Sequence, residues 1–245
     1  MTRPGLVITC EHGGNHIPGA YRHLFQGQEA VLQSHRGFDP GALEMAETLA
    51  EAFGAVLVSS TVSRLLVDLN RSTHNPTLHA NAVRQLPAEQ REDILARFYR
   101  PYRAQAEQAI RQAIADRGAV VHLSSHSFTP ELNGRLRKAD IGLLYDPRRP
   151  GEVALCRRWK AALAATAPEL TVRRNYPYAG KGDGLTAWLR RCLGPDAYVG
   201  IELEINHKHV DAGRDWPTLR RQVAESLREA LSLPTDPAQT APPTP

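Results

Sequence analysis

The stretch "LVITCEHGGNHIP" (residues 6–18) begins as a short apolar run and turns abruptly into acidic, imidazole and glycine residues. An apolar run that ends in glycines is typical of a buried strand entering a turn. A structural turn needs Gly13 and Gly14, but it needs neither the carboxylate of Glu11 nor the imidazole of His12. A metal site or a phosphate cradle could use all four residues, so the rest of the sequence has to decide.

Predicted strands and helices alternate along the chain on both sides of this turn. Apolar runs predict strands at residues 6–10, 55–60, 65–70, 119–124, 141–145, 170–174 and 198–205. Helical spacing predicts helices at 41–53, 87–116 with a break at Pro101, 152–165, 185–192 and 216–233. This alternation indicates one α/β domain over residues 1–234, with a mixed, mostly parallel sheet flanked by helices. The Pro-rich residues 235–245 are predicted to be disordered.

Composition and charge exclude several classes of protein. The 245 residues carry a net charge of +4, and no basic run reaches five residues, which argues against a nucleic-acid partner. Three cysteines without a CxxC pair predict no disulfide framework and a reducing compartment. No segment has the apolar core of a signal peptide or the length of a membrane span, so we expect a cytoplasmic protein.

Polar residues at the ends of the predicted strands define one candidate site. Ligands of such sheets bind outside the carboxyl ends of the strands. His12, Asn70, Arg71, His126 and Glu204 each follow or end an apolar run. The two histidines are 114 residues apart, so they can meet only if their strands are neighbours in the sheet. No GK[ST] or GxGxxG motif follows the first strand, which makes a phosphate cradle the weakest interpretation.

Two imidazoles and one carboxylate are typical of a hydrolytic zinc centre, and the third ligand has two candidates. Asp39, in "SHRGFDPGA", precedes a predicted helix, where its side chain could instead cap that helix. Glu11 is adjacent to His12, but neighbouring residues of an extended strand face opposite sides. The residues alone leave Asp39 and Glu11 both open.

Two carboxylates near the end of the last predicted strand indicate a general base. Alternation places Glu202 and Glu204 on the same face of that strand. Two like charges on a buried face are costly unless they serve a site. A carboxylate beside a metal site would act as a general base, and Glu204 is the candidate because it lies at the strand end.

Charged residues also surround the apolar run in "SRLLVDLNRS". Arg64, Asp68 and Asn70 share a face of the predicted strand, and Arg71 follows its end. Guanidinium groups match carboxylates geometrically, so Asn70 and Arg71 are predicted to clamp an anion. For Arg64, a surface ion pair with Asp68 is the alternative.

These residues lie in blocks that resemble the N-formylglutamate amidohydrolase family. The blocks, in family order, are "CEHGGNHIP", "FDPGA", "RLLVDLNRS", "SHSFTPELNG", "IGLLYD", "NYPYAGKGDGLT" and "IELEI", and they span the chain to about Lys208. "DLNR" is also similar to the aspartoacylase and succinylglutamate desuccinylase group. The resemblance implies a zinc carboxypeptidase-like fold and a zinc-dependent enzyme that removes a short acyl group from an N-acyl amino acid.

Position by position, the resemblance implies ligands for one Zn²⁺ at His12, Asp39 and His126, and a general base at Glu204. Related desuccinylases have Glu where this chain has Asn15, three residues after His12. That difference keeps Glu11 as the alternative third ligand.

The substrate side of the site is predicted from arginines and from a glycine-rich segment. Arg64 is expected to stabilise the oxyanion and to complete the clamp. The segment at 175–186 reads as a mobile lid or, alternatively, as an ordinary surface turn. In "NGRLRK" an arginine would hold a second carboxylate. The residues predicted to contact substrate, besides Arg64, are Asn70, Arg71, Arg135, Arg137, Tyr178 and Lys181.

We therefore predict a small-molecule partner, an N-acyl amino acid such as N-formyl-L-glutamate, and neither nucleic acid nor membrane. The sequence does not indicate the oligomeric state. One alternative is a zinc carboxypeptidase-like peptidase that acts on small peptides or cell-wall fragments. Another is a metal-free dicarboxylate-binding protein in which the arginines bind anions.

Overall fold

The computed structural model describes residues 3–211 and 216–232. The strand predicted at residues 6–10 is the second strand from one edge of its main sheet. The strands are β1 Gly5–Cys10, β2 Val56–Ser59, β3 Val120–Phe128, β4 Glu131–Leu132, β5 Arg135–Leu136, β6 Ile141–Leu144, β7 Val172–Arg174 and β8 Tyr198–Asn206. The α-helices are α1 Glu29–Leu32, α2 Ala42–Phe53, α3 Asn81–Arg84, α4 Ala88–Ile94, α5 Arg100–Arg117, α6 Pro150–Thr166, α7 Leu185–Cys192, α8 Lys208–Asp211 and α9 Trp216–Ser232.

The six-stranded main sheet is mixed and mostly parallel, which confirms the predicted fold class. Its strand order is β2-β1-β3-β8-β6-β7. The strands β2, β1, β3 and β8 run parallel, whereas β6 is antiparallel to β8 and carries β7 parallel to itself. Because β1, β3 and β8 are neighbours, their carboxyl ends meet at one edge of the sheet. The strands β4 and β5 form a separate hairpin.

Helices cover both faces of the sheet, so its central strands are buried on both sides. On one face, α2, α6 and α9 pack against apolar residues that include Leu123 and Leu203. On the other face, α5 and α7 pack against residues that include Val7 and Tyr198. Burying each large apolar side chain contributes about 1.5–3 kcal/mol, so the two cores hold the strand edge that carries the candidate site in a fixed geometry.

The prediction of a strand at residues 65–70 is wrong. The segment forms turns, in which the Leu66 N–H donates to the Ser63 carbonyl and the Arg71 N–H donates to the Asp68 carbonyl. Leu66 and the adjacent Val67 are both fully buried, a pattern that one buried face of a strand cannot produce. The apolar run instead packs as a loop into the core on the α5 side.

The strand predicted at 119–124 is longer than expected. Pairing between β3 and β8 continues to Phe128 and Asn206, so His126 lies inside β3 rather than after it. Burial explains the extension, because the strand is covered on both faces almost to its end.

The long helix predicted at 87–116 is irregular before Pro101, as expected. A π-helical turn at Leu95–Tyr99 separates α4 from α5. Proline has no N–H to donate to the preceding turn, and a widened turn accommodates that loss. The predicted disordered tail at 235–245 lies outside the described residues. Among the helices of the described residues, none is both long and apolar enough to cross a membrane.

Candidate metal centre

The loop after β1 delivers His12 and packs tightly against the chain segment that follows β2. The Gly13 N–H donates to the Ser60 carbonyl at 3.0 Å. A Cβ on Gly13 would lie 3.0 Å from that oxygen, and a Cβ on Gly14 would lie 2.8 Å from Thr61. The two glycines are therefore required for close backbone packing, which places the imidazole of His12 at the edge of the sheet.

His12, Asp39 and His126 converge although they are far apart in sequence. Their strands satisfy the predicted condition, because β1 and β3 are neighbours. Oδ2 of Asp39 lies 3.2 Å from Nδ1 of His12 and 2.9 Å from Nδ1 of His126, and all three side chains are buried. The Asp39 side chain does not cap α2, for which the structure shows no side-chain cap. The structure thus groups Asp39, not Glu11, with the two histidines as potential metal ligands.

The second nitrogen of each imidazole faces another buried carboxylate. Nε2 of His12 lies 2.6 Å from Oδ1 of Asp68, and Nε2 of His126 lies 3.1 Å from Oε2 of Glu11. A ring that donates its Nε2–H to a carboxylate keeps the lone pair on Nδ1 for a cation. Ser124 stands beside the second pair, with its hydroxyl donating to Glu11 at 2.6 Å. Both imidazoles are therefore held with Nδ1 directed at Asp39.

Glu11 and Asp68 both lie behind the imidazoles, which is not where the sequence predicted them to be. Glu11 lies behind His126, where it also accepts a hydrogen bond from the Tyr102 hydroxyl at 2.9 Å. Asp68 was expected only as a partner of Arg64, and its contact with His12 was not foreseen. The available signal was its position inside the apolar run "LLVDLN", because a buried carboxylate needs compensating partners.

The electrostatics of the cluster favour positive charge at its centre. Burial acts to raise the pKa of Asp39, but His12, His126 and Arg64 together bring it well below its ordinary value. Burial acts to lower the pKa of His126, but the carboxylates of Asp39 and Glu11 raise it well above its ordinary value. A proton or a metal cation at this point is therefore stabilised by the surrounding carboxylates.

Glu204 faces the cluster from β8, where it is the register partner of His126. Its side chain is buried, and in the described part of the chain its Oε2 has no hydrogen-bond partner. Burial is the largest influence on this carboxyl and raises its pKa to about 8. Glu202 differs, because its Oε1 accepts a hydrogen bond from the Thr186 hydroxyl at 2.6 Å. Glu204 is thus the carboxylate available for proton transfer beside the imidazoles.

Arg64 lies beside the cluster and contacts two of its carboxylates. It donates to Oδ1 of Asp39 at 3.2 Å and to Oδ2 of Asp68 at 2.8 Å. The ion pair with Asp68 therefore exists, but the Arg64 side chain is only 24% exposed and does not lie on an open surface. Arg64 therefore links Asp39, which faces both imidazoles, to Asp68, which contacts His12 from behind.

Asn70 and Arg71 are adjacent to the cluster and contact the segment before α7. Oδ1 of Asn70 accepts the Leu185 N–H at 2.7 Å, and Nδ2 of Asn70 lies 3.3 Å from Nε2 of His126. Arg71 donates to the Asp183 carbonyl at 2.6 Å. Both side chains therefore lie at the junction between the cluster and the glycine-rich segment.

That segment, residues 175–186, is held at several points. Oδ1 of Asn175 accepts the Gly180 N–H at 3.1 Å, and the guanidinium of Arg190 donates to the Gly180 carbonyl. Oδ2 of Asp183 accepts the Ser72 N–H at 2.9 Å. With these contacts the segment forms a packed turn, which was the alternative to a mobile lid.

A cavity of about 570 Å³ lies beside the cluster and reaches one of its potential metal ligands, Asp39. Asp39, Arg64 and Asp68 form part of its wall, and Tyr178 lines it as well. The volume suits a small molecule of the size of an acylated amino acid.

The remaining predicted residues are not all brought to this cavity. Arg137 stacks on Tyr178, with 5.0 Å from the guanidinium carbon to the ring centroid, and donates to its hydroxyl at 3.1 Å. Arg135 lies exposed on β5, outside the cavity wall. Lys181 lines a different cavity. Of these cations, Arg137 contacts a residue that lines the cavity, Tyr178, without lining the cavity itself.

The donor set fits a divalent cation. Ligands at 2.0–2.1 Å from a tetrahedral zinc ion lie roughly 3.3 Å apart. The separations of 3.2 and 2.9 Å between Asp39 and the two Nδ1 atoms are close to that value. Two imidazole nitrogens and one carboxylate oxygen leave a fourth position open, as in catalytic rather than structural sites.

Comparison with known proteins agrees with this arrangement. The family model of N-formylglutamate amidohydrolase matches residues 5–210. A solved gene product of Agrobacterium tumefaciens is 32% identical, with a TM-score of 0.80 over 94% of this chain and 92% of that one. An N-formylglutamate amidohydrolase from Ralstonia eutropha is 22% identical, with a TM-score of 0.68 over 94% of each chain. A search of curated proteins found no significant match. The chain belongs to the N-formylglutamate amidohydrolase family, whose members hydrolyse amide bonds.

Proposed function

We propose that this protein is a zinc-dependent enzyme that removes the formyl group from N-formyl-L-glutamate or a closely related N-acyl acidic amino acid. The observation that carries the proposal is the convergence of His12, Asp39 and His126 beside Glu204, whose Oε2 has no hydrogen-bond partner among the described residues. Membership of an amide-hydrolysing family supports the reaction class.

His12, Asp39 and His126 would hold the cation through Nδ1, Oδ2 and Nδ1. Asp68 and Glu11 would orient the two imidazoles through their Nε2 atoms, as carboxylates commonly do behind metal-binding histidines. When bound, a zinc ion lowers the pKa of water and polarises an acyl carbonyl. Imidazole and carboxylate donors suit zinc.

Glu204 would act as the proton carrier of the reaction. Beside a bound cation its pKa would fall below the value of about 8 that burial gives it, so its carboxylate would accept a proton from the attacking water and then transfer this proton to the amine nitrogen as the C–N bond breaks. Its unpartnered oxygen supports this role, because no hydrogen bond in the described residues has to be broken first. Arg64, which donates to Asp39, would stabilise the negative charge that develops on the acyl oxygen.

The charge of the cavity supports an anionic substrate. Arg36, Arg64 and Arg84 line it, and they outnumber its acidic residues, Asp39 and Asp68. A divalent cation would add to this positive excess. An amino acid with two carboxylates matches such a cavity better than a neutral peptide does.

Asn70 and Arg71 would bind the α-carboxylate of the substrate. Arg71 now donates to a neutral carbonyl, that of Asp183. A substrate carboxylate would replace this acceptor, because a guanidinium–carboxylate pair is the stronger interaction. Arg137, stacked on the cavity residue Tyr178, would receive the second carboxylate, whereas Arg135 is exposed on β5 and Lys181 lines the other cavity.

Metal analysis combined with a deformylase assay tests the proposal. The purified protein should contain zinc near one equivalent and hydrolyse N-formyl-L-glutamate. His12→Ala and His126→Ala should lose both metal and turnover, whereas the exposed control His23→Ala should keep both. Turnover that survives complete metal removal would contradict the proposal.

Parallel assays separate the alternatives. Faster cleavage of dipeptides than of N-formyl-L-glutamate would favour the peptidase. Saturable binding of glutamate by a metal-free protein without any turnover would favour the dicarboxylate-binding protein.

A further inference from the structure

A second cavity, of about 470 Å³, lies between the start of α6, the glycine-rich segment and the end of α7. Its wall is dominated by cationic side chains and contains one acidic residue, Asp146. The cationic residues are Arg148, Arg149, Lys181, Arg190 and Arg191. None of them lines the cavity at the metal centre.

Two of these arginines are built into the protein and form a fixed cationic wall. The side chains of Arg149 and Arg190 are 12% and 6% exposed, and both face one oxygen of the fully buried Glu152. The distances to this oxygen are 3.4 Å from Arg149 Nε and 2.9 Å from Arg190 Nε. One carboxylate for two guanidinium groups leaves a positive charge uncompensated at this wall.

The rim adds cations that are not neutralised. Lys181 and Arg191 are exposed, and within residues 3–211 and 216–232 neither side chain has an ion pair or a hydrogen bond. Arg148 is paired with Asp146 at 2.8 Å. With Glu152 included, the cations of this region exceed the carboxylates by three. A concave surface with such an excess concentrates the positive potential and attracts multivalent anions.

We propose that this cavity is a binding site for a small multivalent oxyanion, distinct from the site that binds the amide substrate. Lys181 and Arg191 supply the free donors, and Arg149 with Arg190 supplies the fixed positive wall. The ligand class is a phosphate-bearing or polycarboxylate metabolite, since guanidinium and ammonium groups bind both kinds of oxyanion.

The position of the cavity links it to the metal centre. Lys181 lies two residues before Asp183, whose carbonyl accepts from Arg71. Arg191 lies on α7, the helix whose first N–H donates to Asn70. An anion that bridges Lys181 and Arg191 would hold the segment that carries these contacts. Amide hydrogen exchange of residues 180–186 should therefore slow when the site is filled.

Calorimetric titration of the purified protein with inorganic phosphate and, separately, with tricarballylate tests the proposal. We expect saturable binding of at least one probe, and the preferred probe identifies the ligand class. Lys181→Gln combined with Arg191→Gln should weaken this binding by about tenfold or more, because two charged donors are lost. The test does not depend on turnover, so it can fail while the proposed function stands, and the reverse also holds.

A matched control removes the same charge elsewhere. Arg157 and Lys160 are exposed on α6, outside this cavity. Arg157→Gln combined with Lys160→Gln should bind the probe as the unmodified protein does. The proposal is overturned if neither probe saturates, if the cavity variant binds within about twofold of the unmodified protein, or if the control weakens binding equally. Thermal unfolding of both double variants establishes that they fold.

Discussion

The two ends of one face of β3 each hold a buried histidine, and the partners of these histidines differ in charge, being neutral at one end and negative at the other. His122 has neutral partners, with Nε2 at 2.9 Å from the Thr9 hydroxyl and Nδ1 at 2.7 Å from the Tyr198 hydroxyl. Burial lowers its pKa to about 4. His126, four residues later, lies between two carboxylates, and its pKa is raised well above the ordinary value.

The difference shows that burial alone makes a histidine neutral and structural. In this strand, the histidine that belongs to the candidate cation site is the one with carboxylates on both sides of its ring. The neighbouring strand β8 repeats this difference, because the register partner of His122 is Gly200 and that of His126 is Glu204. The carboxylate–imidazole cluster is therefore confined to one end of a strand whose other end serves packing.

The largest expected effect comes from Glu204, at the charged end of this comparison. Glu204→Gln should keep the metal but lower kcat about 10²- to 10⁴-fold, because the amide cannot accept the proton of the attacking water. Glu202→Gln, two residues earlier on the same strand, is the matched control and should retain most turnover. Steady-state kinetics with metal analysis measures both. A Glu204→Gln enzyme within about tenfold of the unmodified kcat would place the base elsewhere.

His122, at the neutral end of β3, should make the free energy of unfolding depend on pH. Between pH 6.5 and 4 the unfolded chain protonates His122, whereas the folded chain does not, because its folded pKa is about 4. The stability contributed by the neutral ring is present above pH 6.5 and is lost as pH falls, by about 3 kcal/mol over this window. In metal-free protein, urea unfolding should therefore show a smaller acid destabilisation for His122→Gln than for the unmodified chain.

The zinc content of the His122→Gln variant tests whether the two ends of β3 have separate roles. The variant should be less stable at pH 7 by about 1–3 kcal/mol, since a buried hydroxyl loses its partner, but its zinc content should not change. Equal pH profiles for variant and unmodified protein, or loss of zinc in the variant, would break the comparison.

A smaller effect is expected from the carboxylate behind His12. Asp68→Asn should weaken zinc binding about 10- to 100-fold, because the imidazole loses the charged acceptor that orients it. Competition with a chelating dye measures this affinity. Asp140 holds His209 Nε2 at 2.7 Å in the same way but away from the metal centre. Asp140→Asn should leave zinc affinity unchanged, and an unchanged affinity in Asp68→Asn would remove this residue from the site.

The smallest effect concerns substrate binding. Arg71→Ala should raise KM for N-formyl-L-glutamate about tenfold and change kcat less, since one charge-assisted hydrogen bond to the substrate is lost. Arg111→Ala removes the same charge from an exposed ion pair with Glu107 and should leave KM unchanged. A loss confined to kcat in Arg71→Ala would assign this arginine to the reaction rather than to binding.

Much of the fold and of the metal site could be predicted from the sequence because both depend on local patterns. Apolar runs predicted β1, β3 and β8, and polar residues at their ends identified His12, His126 and Glu204. The residues alone left Asp39 and Glu11 as candidates for the third ligand, and the resemblance to a known family favoured Asp39. To predict that these residues lie together, one needs only the alternation of side chains along a strand and the rule that neighbouring parallel strands end at the same edge of the sheet.

The partners of these residues were decided only by the tertiary structure. Glu11 was a candidate ligand but lies behind His126, and Asp68 contacts His12 from a turn that was predicted to be a strand. Lys181 belongs to a second cavity. Such contacts join residues 56 to 115 positions apart in the chain, as between His12 and Asp68 or between Asn70 and Leu185. No local pattern encodes them, because they arise when separate elements pack together and each buried charge finds its partner.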